Sequence, residues 1–159
     1  MYNINIICIG TLKEKYLTEA CNEYLKRLKA YCRVNIIELD ECRTGPGRDA
    51  DILAALRREG ENIIKKIPPS SYTIGMFISG REMSSAAFAE RLGRLALEKS
   101  STVNFIIGGS HGLSEDVRKV CDETMSLSPM TFPHQLFRII LLEQLYRAFS
   151  IMNGGKYHK

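Results

Sequence analysis

The residues best suited to chemistry lie in two loops near the C-terminal end of the chain and in its last four positions. The first loop has the sequence GGSHG at residues 108–112 and follows a strand-like apolar run at residues 103–107. Glycines at such a position let a ligand approach the main chain closely. The loop lacks the six-residue glycine fingerprint of dinucleotide sites and the Lys-Ser/Thr pair of phosphate loops. A tight turn from a strand to a helix therefore explains it equally well.

The second loop has the sequence SPMTFP at residues 128–133, and its two prolines make it stiff. Pro133 suits the first turn of a helix. A stiff loop offers main-chain N–H and C=O groups in fixed positions, which can bind the edge of an adenine. Met130 and Phe132 would supply apolar walls to such a site. A rigid connection whose side chains belong to the core is the alternative.

The C-terminal tail, KYHK at residues 156–159, combines two cations, an aromatic ring and an imidazole. This mixture suits phosphate contact, base stacking and proton transfer near neutral pH. A short polar tail is normally frayed, and that alternative stays open. Upstream, Glu143 and Arg147 stand four residues apart in the order that favours a structural ion pair on a helix.

Strand-like runs alternate with helical patterns along the whole chain. Strands are predicted at residues 4–9, 34–39, 72–78, 103–107 and 124–128, and helices at 14–31, 51–67 and from residues 84, 114 and 133, with a loop at 44–47. The alternation predicts an α/β fold, a mainly parallel sheet with helices on both faces, in one domain over residues 1–159. Ligands of open α/β sheets bind beyond the carboxyl ends of the strands, where both loops would lie.

The last helix is apolar around most of its circumference over residues 136–151. Such a helix must be buried nearly all round. In a domain of this size its outer face would need another subunit, so we expect a homodimer.

Composition and charge are those of an ordinary globular protein. The 159 residues are 45% hydrophobic and 25% charged, with a net charge of +4, which permits an anionic partner such as RNA without requiring one. The five cysteines form no C-x-x-C pair, and the three histidines are not spaced as metal ligands. The N-terminus lacks the features of a signal peptide, and charges interrupt the most apolar helix. We therefore expect a cytoplasmic protein with no metal and no membrane span.

Several of these motifs together resemble the RlmH family, bacterial SPOUT-class methyltransferases that act on large-subunit ribosomal RNA. The similar stretches are GTLKEKY at residues 10–16, EGE at 59–61, IIGGSHGLSEDV at 106–117, LSPMTFPHQLFRIILLEQLYRAFSI at 127–151 and the closing YHK. They occur in order and cover the chain from end to end.

The resemblance implies an S-adenosylmethionine-dependent enzyme with a trefoil knot in its C-terminal part. It implies a homodimer with the methyl-donor site in the knot, at the dimer interface, and a product methylated on N3 of a pseudouridine, position 1915 of 23S ribosomal RNA. The family's donor-binding positions correspond to Met76, Gly108, Leu127, Ser128, Pro129, Met130, Thr131 and Phe132.

Methylation of N3 requires that its proton leave. His158 and Tyr157 are the candidate acceptors, and Arg147 and Lys156 are candidates to hold RNA phosphate or the negative charge on the uracil oxygens. Two other functions remain. A nucleotide-binding oxidoreductase is disfavoured by the missing glycine fingerprint. A non-catalytic ribosome-binding factor would bind ribosomal particles without taking up a methyl donor.

Overall fold

The computed structural model describes residues 1–44 and 48–159, and within them it contains one five-stranded parallel sheet. The strands are β1 (Tyr2–Ile9), β2 (Cys32–Leu39), β3 (Tyr72–Glu82), β4 (Thr102–Ile107) and β5 (Glu123–Ser126). They lie side by side in the order β2-β1-β4-β3-β5. Apart from Thr44, the loop predicted at residues 44–47 lies outside the described residues.

Helices cover both faces of the sheet. They are α1 (Lys15–Leu28), α2 (Asp49–Lys66), α3 (Ser85–Glu98), α4 (Glu115–Val120) and α5 (His134–Met152). Alternate side chains of β1 enter two cores: Ile4 and Ile6 pack with residues of α1, α3 and α5, whereas Ile7 and Ile9 pack with residues of α2 and α4. This alternation follows from the two-residue period of a strand. The predicted parallel α/β architecture is confirmed.

Two strands next to the predicted loops end differently from the prediction. β3 continues to Glu82, beyond the predicted end at residue 78, and its register with β5 shifts between Met76 and Arg81. Gly80 allows this passage, because a Cβ there would lie 2.6 Å from the carbonyl carbon of Met125. β5 ends at Ser126, two residues before the predicted end.

Helix α5 is buried mainly by its own chain. It packs on the sheet between α1 and α3. Its fully buried apolar residues are Leu141, Leu142, Leu145, Ala148 and Phe149. The apolar circumference that led us to expect a second subunit is therefore largely accounted for within one chain. The homodimer stays a prediction that needs a different basis.

All five cysteines are free, and three of them, Cys8, Cys21 and Cys32, are buried. Burial raises the pKa of Cys8 to about 11 and that of Cys32 to about 12. These thiols are therefore protonated packing residues. None of the described helices is both long enough and apolar enough to span a membrane.

Candidate functional site

A cavity of about 770 Å³ opens at the carboxyl ends of β3, β4 and β5. Its walls are residues 76–79 of β3, the glycine loop at 107–113, and residues 125–128 and 130–134 at the junction of β5 and α5. Its volume lies within the range of small-molecule sites, about 300–1,000 Å³. The cavity is thus at the sheet edge where an open α/β fold binds its ligands.

Most of the residues predicted to bind the methyl donor line this cavity. Seven of the eight do so: Met76, Gly108, Leu127, Ser128, Met130, Thr131 and Phe132. The eighth, Pro129, is exposed and is not part of the wall. Residues from three separate stretches of sequence are brought together, as a single binding site requires.

The glycine loop is compact because it folds back on itself. A Cβ on Gly108 would lie 2.5 Å from the carbonyl carbon of Gly112, and Gly112 has a φ of +81°. Gly109 and Gly112 also form an isolated antiparallel bridge. The close approach that requires glycine at position 108 is therefore between two parts of the protein, rather than only between the protein and a ligand.

The segment after β5 is held rigid by hydrogen bonds as well as by proline. The Ser126 hydroxyl donates to the Ser128 carbonyl (3.0 Å), and the Met130 N–H donates to the Ser128 hydroxyl (3.0 Å). Pro133 is the N-cap residue of α5, with a φ of −55°. The main chain is therefore fixed beside the cavity.

Sequence reasoning missed a basic part of the wall. Arg118 of α4 lies over the ring of Phe77, 4.1 Å from its centroid, and donates to the Ser79 hydroxyl (2.9 Å). Other lining residues that were not predicted are Ile78, His134 and Phe137. Arg118 was missed because a position on a short helix says nothing about which strand its side chain reaches.

The C-terminal tail folds back along α5. The Gly155 N–H donates to the Ser150 carbonyl (2.8 Å), and the Tyr157 hydroxyl donates to Glu143 Oε1 (3.1 Å). The Tyr157 ring also packs edge-on against Tyr146, with 4.8 Å between the centroids. The structure thus favours an ordered tail over a frayed one.

The three residues predicted to act in catalysis lie together in this tail cluster. The Arg147 Nε donates to Glu143 Oε1 (3.0 Å), so the predicted ion pair is present. The Arg147 Nη1 lies 3.2 Å from Nδ1 of His158. Because guanidinium groups only donate, this contact assigns the lone pair to Nδ1 and, in the neutral ring, the proton to Nε2.

Tyr157 is a hydrogen-bond donor in this cluster. Burial, followed by the neighbouring Tyr24 hydroxyl and the Glu143 carboxylate, raises the pKa of Tyr157 to about 12. The phenol is therefore protonated at neutral pH. Of the two candidate proton acceptors, only His158 has an unprotonated atom, Nδ1, and that atom can accept a proton only when its contact with Arg147 opens.

The tail cluster and the cavity of one chain lie apart. His134 lines the cavity at the first residue of α5, whereas Arg147 lies in the second half of the same helix. Phe137 of α5 also lines the cavity, and the helix from Phe137 to Arg147 spans about 15 Å at the rise of 1.5 Å per residue. Within the described residues, no cluster of three or more His, Cys, Asp or Glu side chains is arranged to hold a metal ion.

Known proteins match nearly the whole chain. A family model described as a predicted SPOUT methyltransferase matches residues 2–158. A ribosomal RNA large subunit methyltransferase H from an Exiguobacterium species is 48% identical over 158 residues, and one from Bacillus thuringiensis is 50% identical over 158 residues. Each alignment covers 99% of both chains. The chain belongs to the RlmH family of SPOUT methyltransferases.

A solved structure supports the same fold for this RlmH-family chain. The structure of a probable methylase family protein from Haemophilus influenzae matches it with a TM-score of 0.57, covering 99% of this chain and 71% of that one. The two sequences are 17% identical, so this similarity concerns the fold alone. The resemblance inferred from the motifs is confirmed, and membership of the RlmH family implies a methyl donor.

Proposed function

We propose that this chain is an S-adenosylmethionine-dependent enzyme that methylates N3 of a pseudouridine in 23S ribosomal RNA, at position 1915. The observation that carries the proposal is the cavity at the strand ends. In a chain of a methyltransferase family, it collects seven of the eight positions that we expect to bind the donor. The substrate is proposed because close relatives are named for large-subunit ribosomal RNA.

The residues around the cavity fit S-adenosylmethionine chemically. Leu127, Phe132 and Phe137 offer apolar surfaces to an adenine, and the rigid main chain of residues 126–132 offers polar groups for its edge. The cation of Arg118 suits a carboxylate. When bound, the sulfonium supplies an already activated methyl group, so the protein's main task is to align it with the nucleophile.

The tail cluster fits the RNA side of the reaction. Lys156 is exposed and can contact phosphate, and the Tyr157 ring can stack on a base. Arg147 would move from His158 Nδ1 to the uracil oxygens and stabilise the negative charge there, which would free Nδ1 of His158 to accept the N3 proton. We assign these roles to Arg147, Tyr157 and His158 together because the structure brings them into contact with one another or with Glu143.

A homodimer would bring the two groups together. Arg147, which contacts His158, lies about 15 Å along α5 from the cavity-lining residue Phe137 of its own chain. A partner subunit could instead place its tail over that cavity. Apolar side chains are exposed beside the cavity at Ile78, Met130 and Leu136, with Met130 76% exposed. This surface, rather than the whole circumference of α5, is our basis for proposing the homodimer.

Because its target would be the ribosome, we place the enzyme in the cytoplasm.

Calorimetry and RNA mapping test the proposal together. The purified protein should bind S-adenosylmethionine and S-adenosylhomocysteine. Ribosomes from a strain that lacks the gene should gain one methyl group at the target pseudouridine, seen by mass mapping, when protein and donor are added. Binding to ribosomes without uptake of the donor would instead identify a non-catalytic ribosome-binding factor.

A further inference from the structure

Glu41 lies just after β2 and contacts the glycine loop that forms one wall of the cavity. Its Oε1 accepts hydrogen bonds from the main-chain N–H of Ser110 (3.1 Å) and from the Ser110 hydroxyl (2.7 Å). Hydrogen bonds to an ionised acceptor are stronger than those between neutral groups. The Ser110 bonds lower the pKa of Glu41, which is therefore charged at neutral pH.

The same contact explains the second glycine of the loop. A Cβ on Gly109 would lie 2.9 Å from Cγ2 of Ile9 and 3.1 Å from Oε1 of Glu41. Gly109 is thus enclosed between the end of β1 and the Glu41 carboxylate. A side chain at this position would push the carboxylate away from Ser110.

Helix α2 supports both ends of this arrangement. Glu59 is 5% exposed and accepts a hydrogen bond from the Cys42 N–H (2.8 Å), which ties the segment carrying Glu41 to the helix. A Cβ on the next residue, Gly60, would lie 2.6 Å from the hydroxyl of Ser114, the N-cap residue of α4 just after the glycine loop. Two residues of the EGE motif therefore support the loop: Glu59 by a hydrogen bond beside Glu41, and Gly60 by close packing at Ser114.

We propose that Glu41 is a positioning residue for the methyl donor. Through Ser110 it holds the main chain of residues 108–112 in the conformation that forms the cavity wall. This inference rests on the donor site proposed above. Without the carboxylate, the donor would have to order the loop when it binds, which lowers affinity. Glu41 is exposed, so its loss should spare the fold. It belongs neither to the cavity wall nor to the tail cluster, so we expect the chemical step and RNA binding to be spared as well.

The test compares Glu41→Ala with Glu41→Gln, Ser110→Ala and the control Glu61→Ala, which removes an exposed carboxylate of α2. We expect Glu41→Ala to weaken S-adenosylmethionine binding by roughly ten-fold, the value of a hydrogen bond to a charged group. The donor affinities of Glu41→Gln and Ser110→Ala should lie between those of Glu41→Ala and the parent. Glu41→Gln retains an acceptor oxygen, and Ser110→Ala retains the main-chain N–H donor. Glu61→Ala should match the parent.

The measurements are the donor Kd by calorimetry, the melting temperature, and steady-state kinetics with ribosomes. A positioning role predicts a raised KM for the donor with unchanged kcat at saturating donor and unchanged KM for ribosomes. An unchanged donor Kd in folded Glu41→Ala overturns the inference. So does a variant in which the KM for the donor, the kcat and the KM for ribosomes all worsen by the same factor. If the parent protein binds no donor, the proposed function fails instead.

Discussion

At the scale of single residues, Arg138 carries the most consequential buried charge. It is 3% exposed on α5, and its guanidinium donates to Glu38 (2.8 Å) and to the Gly10 carbonyl (3.1 Å). Its Nε has no partner among the described residues. In the sequence, Arg138 is one of the charges that interrupt the most apolar helix and argue against a membrane span. Its ion pair could not be predicted, because a sequence pattern does not show which distant strand a charged side chain will contact.

The two partners of this ion pair should differ in their contribution to stability. Glu38→Ala leaves a buried cation without its counter-charge, and we expect a loss of about 3 kcal/mol in the free energy of unfolding. Arg138→Met leaves a carboxylate that is already 39% exposed, so the loss should be smaller, about 1 kcal/mol. Urea unfolding of both variants measures the difference. Equal losses of unfolding free energy in the two variants would contradict this explanation.

Tyr157 and His158 should differ in their effect on the pH dependence of methyl transfer. The pKa of Tyr157 is raised to about 12, so its phenol is protonated over the whole range from pH 6 to pH 9. Tyr157→Phe should therefore leave the shape of the pH–rate profile unchanged, even if the rate falls. His158→Ala should both lower the rate and change the profile. A changed profile in Tyr157→Phe would make the phenol the proton acceptor.

At the scale of elements, periodicity predicted each strand and helix, but contacts with elements distant in sequence set where each one ends. β3 runs past the Ser79-Gly80 pair, although such residues usually signal a turn, because β5 pairs with its far end. The strand order could not be predicted, since pairing is non-local. The two site loops could be predicted, because parallel strands end at one edge. The knot remains a prediction from the family.

Two helical glycines should respond in opposite ways to alanine. Propensity alone favours alanine by about 1 kcal/mol in either helix. At Gly60 the new Cβ would lie 2.6 Å from the Ser114 hydroxyl and 3.2 Å from Val117, so we expect Gly60→Ala to destabilise by about 1–2 kcal/mol.

Gly93→Ala is the matched control. Its Cβ would meet only the flexible end of Met152, at 3.3 Å, so it should be neutral or stabilising. Thermal melting of the two variants decides between propensity and packing. A gain of stability in Gly60→Ala would show that α2 and α4 can separate at no cost, which would also weaken the support proposed for the glycine loop.

At the scale of the whole molecule, the central feature is the distance between the cavity and the tail cluster. Sequence reasoning predicted both groups of residues but could not say which subunit supplies each to a site, because a linear pattern does not show how α5 separates them. The symmetric dimer that we propose would resolve this, because each tail could then lie over the other subunit's cavity. Analytical ultracentrifugation at micromolar concentration should show a dimer. A soluble monomer with full activity would contradict the assembly.

The final prediction joins the tail to that assembly. Deleting residues 156–159 removes Tyr157 and His158 but no residue of the cavity, so donor binding should persist while methyl transfer is lost. Gly108→Val should leave the tail intact but abolish donor binding and, with it, methyl transfer, because its side chain would strike the Gly112 main chain and disturb the cavity wall. Circular dichroism and sedimentation should first show that each variant is folded and dimeric.

Mixing the two inactive proteins then tests which subunit supplies the tail. In a mixed dimer the intact cavity belongs to the truncated subunit and the intact tail to the Gly108→Val subunit. If the tail acts on the partner's cavity, one working site is restored, and random exchange of subunits should recover about a quarter of the parental activity. If the tail acts within its own chain, the mixture stays inactive. The geometry of α5 favours recovery, because about 15 Å of helix separates Arg147 of the tail cluster from Phe137 at its own cavity.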